Sequence, residues 1–264
     1  MTAAGSDTAP QHRTAPRHDT VVLLKRSLRH ILRSPDTIIT TAITPIAMLL
    51  LFVYVFGGAI DVGGGRYVDY LLPGVLLITI ASGVAYTAFR LFTDVSGGIF
   101  ERFRSMPVAR SALLWGHVLT SVVANLISLL LVVLVAVAMG FRSGAGVLAW
   151  LAVTGILVLF TLTLTWLAVL PGLTAQSVDG VSGFSYPLIF LPFVSSAFVP
   201  TSGMPGPVRW FAQHQPVTPI VNTIRHLYAQ QPVGNDGWIA VAWCVGLLLV
   251  AYALAMRTYR RRMG

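Results

Sequence analysis

Side chains that could perform chemistry are sparse in this chain of 264 residues. Its single lysine, Lys25, is followed by Arg26, whereas a phosphate-binding loop needs Gly-x-x-x-x-Gly-Lys followed by Ser or Thr. The chain therefore cannot supply that loop. No acid–base pair, activated nucleophile or metal-like cluster stands out around its single glutamate, Glu101. We predict that the chain is not an enzyme and binds no cofactor of its own.

Polar residues inside the hydrophobic runs are few. Proton- or ion-coupled carriers usually need buried Asp, Glu or His pairs along their path, and these runs contain no carboxylate. Asn125 is interpreted as an inter-helix hydrogen-bonding residue, and His117 as a structural residue near the end of its run. His214 and His226 lack metal-ligand spacing and are interpreted as surface residues of amphipathic segments.

Composition indicates that a lipid bilayer surrounds the fold. The chain is 55% hydrophobic and 10% charged, whereas soluble domains are about 25% charged. Because backbone polar groups must be paired in lipid, the spans should be helices, and we predict an all-α polytopic membrane protein. A tail at 1–18 precedes one membrane domain at 19–264. Its six windows without Asp, Glu, Lys or Arg lie at about 37–60, 70–89, 112–139, 146–170, 183–199 and 238–256.

The positions of the basic residues predict the orientation in the cell membrane. With a cytoplasmic N-terminus, 14 of the 18 Lys and Arg residues fall in cytoplasmic segments. Both termini are therefore predicted to be cytoplasmic. The net charge of +9 is explained by this clustering between hydrophobic runs, and we predict no nucleic-acid binding.

Two kinds of short helix are predicted outside the spans. Residues 21–33 are apolar on one helical face and basic on the other, which is typical of an interfacial helix in contact with membrane lipids; the alternative is a plain basic anchor. The segment from Pro200 to Asp236, between spans five and six, contains two short apolar-faced stretches and predicts two interfacial or re-entrant helices. In span five, Pro187 and Pro192 predict a kinked or broken helix. The basic residues of the interfacial helix are Lys25, Arg26, Arg29 and Arg33.

The loop between spans two and three carries the strongest local signal. Gly97 and Gly98 allow a sharp bend, residues 99–106 can form a short helix, and Pro107 ends it. Aromatic and mixed charged side chains on a short helix suit docking into a groove on another protein, and the alternative is a solvated loop. The residues of this predicted docking segment are Gly97, Gly98, Phe100, Glu101, Arg102, Phe103, Arg104, Pro107 and Arg110.

Several stretches, in order, resemble the membrane subunits of type 2 ABC exporters, the daunorubicin-resistance-type permeases. They are residues 69–74, 96–110, 195–200, 204–205 and 215–225. The resemblance implies six spans, a cytoplasmic coupling helix containing Glu101, and a permease dimer on two ATPase subunits that bind ATP and Mg. It also implies that the short helices between spans five and six cap the translocation path. The residues placed in this outer gate are Pro200, Pro216, Pro219 and Arg225.

We therefore expect the permease subunit of an ATP-driven exporter that moves an amphipathic or hydrophobic compound, such as a drug, out of the cell. A homodimer is the expected assembly. The alternatives are a permease for a lipid-linked polysaccharide, a gradient-driven carrier without an ATPase, and a membrane enzyme.

Overall fold

A computed structural model describes residues 35–58, 65–98 and 110–263, and within these ranges all regular structure is helical. The predicted tail, the interfacial helix at 21–33 with its four basic residues, and residues 99–109 of the coupling loop lie outside the described residues. The helices are α1 Pro35–Leu51, α2 Tyr67–Ser96, α3 Arg110–Ala138, α4 Val147–Thr174, α5 Val178–Phe190, α6 Gly206–His214, α7 Val217–Tyr228 and α8 Asp236–Met263.

Four of these helices, α2, α3, α4 and α8, are long and apolar enough to cross a membrane. They coincide with four of the six predicted spans. The other two windows correspond to shorter apolar helical segments, Ala42–Phe56 and Val178–Val194. The chain is thus an all-α polytopic membrane protein, as predicted, and the number of six crossings stays a prediction.

Helix α5 differs from the predicted span in a way that its sequence explains. The helix begins at Val178, five residues before the predicted start at 183. Asp179 had been excluded from the window as a charge, yet an acid in the first turn is stabilised by the helix dipole. The Ser177 side chain also accepts a hydrogen bond from the Gly180 amide at 3.2 Å. After Phe190 a 3-10 turn, Leu191–Val194, ends the helical segment, which confirms the predicted break.

Helix α2 is the centre of the bundle. Within its most hydrophobic window 83% of the residues are buried inside the protein, compared with 39% for α3, 33% for α4 and 22% for α8. Helices α1, α3, α4, α5 and α7 all pack against it. Its side chains form a nearly continuous apolar surface from Val68 to Val84, which explains why the helix is surrounded on all sides.

The bundle has two ends, which we name after residues at the two ends of α2. The Tyr67 end joins the start of α2, the loop after α3, and the segment from 191 to 235. The Asp94 end joins the end of α2 to the start of α3, and it also holds the end of α8. Near the Asp94 end, Trp115, Trp166 and Tyr252 pack with ring centroids 4.8–6.3 Å apart and connect α3, α4 and α8.

Candidate gating and coupling sites

At the Tyr67 end, two tyrosines of α2 hold the irregular backbone that follows α5. The Tyr67 hydroxyl donates to the Phe198 carbonyl at 3.2 Å, and the Tyr70 hydroxyl donates to the Ser196 carbonyl at 2.9 Å. These carbonyls belong to a segment without helical hydrogen bonding, so side-chain donors satisfy them instead. The tyrosines therefore fix the non-helical segment against the start of α2.

Close backbone packing brings the same two segments together. A methyl group added at Gly74 would lie 2.7 Å from the Ala197 Cβ atom, well inside van der Waals contact. Only glycine leaves room for this approach. The Pro73-Gly74 pair of the sequence motif thus marks the point where α2 contacts the segment after α5.

Arg225 of α7 completes this arrangement. Its guanidinium lies over the Tyr70 ring, 3.8 Å from the centroid, and donates to the Tyr70 carbonyl at 3.1 Å and the Ser196 carbonyl at 2.9 Å. It also donates to the Asn222 side-chain oxygen at 3.3 Å, while the Ser196 hydroxyl donates to that oxygen at 2.8 Å. We call Tyr67, Tyr70, Ser196, Asn222 and Arg225 the Arg225 cluster.

The electrostatics of the Arg225 cluster are unusual because its cation is paired with carbonyls. Among the described residues, no carboxylate lies within salt-bridge distance of Arg225. Burial lowers the pKa of the Arg225 guanidinium, and Tyr70 opposes that change. Because arginine is not deprotonated in proteins, the cluster contains a positive charge. The neutral groups around it stabilise that charge: the Tyr70 ring, the Asn222 side-chain oxygen and two backbone carbonyls. Such an arrangement depends on every carbonyl staying in place.

The prolines predicted in the outer gate shape the backbone around this cluster. Pro216 immediately precedes α7, and Pro219 is buried in its first turn. Thr218, between them, accepts a hydrogen bond from the Ser196 amide at 3.3 Å. Pro200 precedes a separate 3-10 turn, Thr201–Gly203, and forms none of the hydrogen bonds of the cluster.

Other contacts at the Tyr67 end were not predicted. Gln215 donates from its amide to the Val194 carbonyl at 2.8 Å, which ties the start of α7 to the end of the α5 segment. Asp69, in the first turn of α2, lies 3.7 Å from Arg66 and accepts a hydrogen bond from the Arg142 amide at 3.4 Å. The Gln215–Val194 and Asp69–Arg142 contacts have no local signal in the sequence, because their partners are 21 and 73 residues apart along the chain.

At the Asp94 end, two glycines terminate α2. The Gly97 amide donates to the Thr93 carbonyl at 2.8 Å, and the Gly98 amide donates to the Val95 carbonyl at 3.3 Å. Gly98 has a φ of 69°, in the left-handed region that favours glycine. The glycine pair therefore ends α2, with Gly98 in the left-handed conformation, and the sharp bend into the following loop stays a prediction.

A histidine–carboxylate contact connects the two helices that flank the predicted coupling loop. The His117 Nε2 atom of α3 lies 3.2 Å from the Asp94 carboxylate of α2, and both side chains are partly buried. His117 was predicted to be structural, but Asp94 was not predicted as its partner. Because Asp94 lies beyond the predicted end of span two at 89, the extension of α2 to Ser96 is what brings the two together.

Further into the bundle, a second polar contact joins the same helices. The Thr87 hydroxyl of α2 donates to the Ser121 hydroxyl of α3 at 2.7 Å, and Ser121 lies 3.5 Å from the Thr165 hydroxyl of α4. Asn125, predicted to form an inter-helix hydrogen bond, instead donates to the Ser121 carbonyl of its own helix at 2.9 Å. Its carbonyl oxygen packs against Gly83, where an added methyl group would lie only 2.3 Å away.

The remaining predicted coupling residues cannot be placed in this geometry. Phe100, Glu101, Arg102, Phe103, Arg104 and Pro107 lie outside the described residues, and Arg110 is described only as the first residue of α3. In residues 35–58, 65–98 and 110–263, no group of three His, Cys, Asp or Glu side chains is placed to hold a metal ion.

Comparison with known protein families shows which family contains this helical bundle. The family model for ABC-2 type transporters matches residues 18–228. The chain belongs to the ABC-2 type transporter family. This permease is 30% identical over 247 residues to the daunorubicin resistance ABC transporter permease protein DrrB1 of Streptomyces coeruleorubidus, and the match covers 92% of this chain and 86% of that protein.

A second relative of this ABC-2 permease comes from a mycobacterium. The probable doxorubicin resistance ABC transporter permease protein DrrC of Mycobacterium tuberculosis is 26% identical over 249 residues, covering 92% of this chain and 88% of that protein. The family resemblance predicted from the sequence motifs is thereby confirmed. In this ABC-2 permease, α2 carries motif residues 69–74 near its start and ends at the glycine pair, Gly97 and Gly98.

Proposed function

We propose that this ABC-2 permease is the membrane subunit of an exporter, driven by ATP that separate ATPase subunits hydrolyse. The observation that supports this best is the placement of α2. One buried helix of 30 residues, about 45 Å long, joins the glycine pair beside the predicted coupling loop to the tyrosines of the Arg225 cluster. A displacement at one end of so rigid an element is transmitted to the other.

In the proposed orientation the Asp94 end faces the cytoplasm. The distribution of Lys and Arg supports this, since Arg257, Arg260 and Arg261 of α8 lie at that end. Both termini are then cytoplasmic, and the Arg225 cluster lies toward the outside of the cell membrane.

The proposed coupling acts through the loop that follows Gly98. Phe100, Glu101 and their neighbours would contact a groove of the ATPase, which binds ATP and Mg because this chain has no suitable lysine for a phosphate-binding loop. Two permease copies on two ATPase copies are the proposed assembly. The Asp94–His117 pair would make α2 and α3 move together when the loop between them is displaced.

The Arg225 cluster is the proposed closed gate. Its hydrogen bonds join α2, α7 and the segment after α5, so α2 cannot shift relative to that segment without breaking them. Ring contacts also link Phe193 to Phe198 at 4.7 Å and Phe198 to Phe52 at 5.1 Å behind the cluster. Opening the gate therefore requires work, which ATP binding or hydrolysis would supply.

The proposed cargo is a hydrophobic or amphipathic compound. The names of the two relatives refer to resistance to daunorubicin and doxorubicin. The exposed side chains beside the gate are also mainly apolar and aromatic, as binding of such a compound requires. They include Tyr54, Val55, Phe56, Tyr186 and Phe190.

Co-purification with the cognate ATPase subunit tests the proposed coupling. Glu101→Ala combined with Arg104→Ala should abolish binding of the ATPase and ATP-dependent transport in proteoliposomes. Arg142→Ala, at the Tyr67 end, is the matched control and should retain both. Unchanged pairing and transport in the double variant, or transport by the permease without any ATPase, would overturn the proposal.

A further inference from the structure

The last turns of α8 form a basic groove at the Asp94 end. The groove has a volume of about 570 Å³, and its described lining is Ala253, Met256, Arg257, Arg260 and Arg261. The three arginines are three and four residues apart and so share one helical face. Among the described residues, none of the three forms a salt bridge with a carboxylate. We call this surface the α8 groove.

The length of α8 places these arginines at the level of lipid headgroups. Trp238, near the start of the helix, is 79% exposed, and exposed tryptophans are enriched at membrane–water interfaces. Arg257 lies 19 residues further on, which corresponds to about 29 Å along a helix. That distance equals the thickness of the hydrocarbon core, about 30 Å. Arg260 and Arg261 then lie about 5 Å beyond it, among the phosphates.

An exposed apolar stripe continues from the arginines toward the middle of the membrane. Val250 is 57% exposed and Leu254 is 44% exposed. The spacing of Val250, Leu254, Arg257 and Arg261 puts all four on one face of α8. The surface is therefore cationic at headgroup depth and apolar at the depth of the acyl chains. It thus complements an anionic phospholipid, which has a negatively charged headgroup and apolar tails.

We propose that the α8 groove is a binding site for an anionic phospholipid such as phosphatidylglycerol. The guanidinium groups of Arg257, Arg260 and Arg261 contact the phosphate oxygens, which their forked geometry matches, and an acyl chain lies along Leu254 and Val250. An acidic protein surface would satisfy the arginines but could not reach residues at hydrocarbon depth. The proposal depends on membrane insertion and is independent of ATP-driven export.

Site-directed photocrosslinking in nanodiscs tests this site. A benzoylphenylalanine replaces Leu254, and in a separate control protein it replaces Leu148, which is 81% exposed at the other end of the bundle. The discs contain phosphatidylcholine and phosphatidylglycerol in a ratio of about three to one, and both leaflets are accessible. The measured quantity is the ratio of phosphatidylglycerol to phosphatidylcholine crosslinks at each position.

We expect that ratio to be about fivefold higher at position 254 than at 148, since one arginine near the surface favours an anionic lipid to that extent. Arg257→Gln, Arg260→Gln and Arg261→Gln together should reduce it to the value at 148, whereas the corresponding triple lysine variant should keep most of it. Unchanged crosslinking at 148 shows that each variant is folded. Equal ratios at the two positions overturn the proposal, as does an enrichment that survives the triple glutamine variant. If the lipid ratios at 254 and 148 were equal and the triple glutamine variant lost ATPase binding, the three arginines would instead be part of the ATPase interface.

Discussion

The two ends of α2 are held by different chemistry. At the Tyr67 end, side-chain donors from α2 and α7 bind the Ser196 carbonyl of a non-helical segment, and the partly buried Arg225 also binds the Tyr70 carbonyl of α2. At the Asp94 end, one carboxylate pairs with one histidine across two regular helices. The first arrangement has several geometrically coupled polar contacts, whereas the second has one polar contact between the end of α2 and the start of α3. In the proposed mechanism, the Tyr67 end changes shape as a unit and the Asp94 end moves as a rigid body.

The largest effect is expected from Arg225→Met. It removes two charge-assisted hydrogen bonds to backbone carbonyls, each worth about 1.5 kcal/mol or more, so we expect a loss of about 3 kcal/mol in the free energy of unfolding. Thermal unfolding in detergent, followed by tryptophan fluorescence, measures it. Arg225→Lys should recover part of this stability, because lysine keeps the positive charge but lacks the forked donors of the guanidinium group.

The matched control is Arg209→Met on the exposed helix α6, which should change stability much less. If Arg225→Met and Arg209→Met were equally stable, the carbonyl contacts of the Arg225 cluster would not hold the Tyr67 end together.

Gly74→Ala is expected to cost about 2 kcal/mol through overpacking, because its new methyl group would lie 2.7 Å from Ala197 Cβ, which cannot rotate away. Ala197→Gly in the same chain should restore most of the stability. The double-mutant cycle is read from unfolding temperatures. Additive effects of the two changes would show that the close approach of the two segments does not matter.

At the other end, Asp94→Asn should cost only about 1 kcal/mol, since it weakens a single partly buried contact with His117. We expect its main effect on coupling: ATP hydrolysis by the complex should continue while transport per ATP falls severalfold. Arg225→Met should instead allow leakage of cargo in the absence of ATP. The same phenotype for both variants would remove the functional distinction between the ends.

The smallest effect is expected from Thr87→Val, which removes the inter-helix hydrogen bond to Ser121. Such bonds inside membranes average about 0.6 kcal/mol, so the variant should be nearly as stable as the parent. Combined with Asp94→Asn, however, it should reduce coupling further than either change alone. If transport per ATP fell no further in the double variant than in Asp94→Asn, the α2–α3 connection would depend on the Asp94–His117 contact alone.

Charge-free windows predicted the four long helices because a charge in the hydrocarbon core is expensive. The same windows do not mark the ends of the helices. Helix α2 continues beyond 89 through Arg90 and Asp94, whose charged side chains can reach the headgroup layer. Helix α5 begins at Val178, before the window that starts at 183, because Asp179 supports its first turn.

Some of the residues at the two ends of α2 were predicted. Arg225 was identified by resemblance to a family motif, and Gly98 by the conformational freedom of glycine. Their partners could not be predicted in the same way. Tyr70 and Ser196 are separated by 126 residues, and no local periodicity encodes which hydroxyl meets which carbonyl. Contacts of this kind depend on how α2, α5 and α7 pack together, which the sequence pattern does not contain.

Hydrogen exchange at residues 196–198 tests the central claim, that α2 connects the coupling loop to the Arg225 cluster. The amide of Ser196 donates to Thr218 and that of Ala197 to the Ser195 hydroxyl, so their exchange reports whether the proposed gate is closed. With the ATPase subunit bound in nanodiscs, addition of ATP should accelerate exchange there in the parent but not in the Glu101→Ala, Arg104→Ala variant. An exchange rate at residues 196–198 that ATP does not change in the parent, or that ATP increases equally in the variant, would contradict the account.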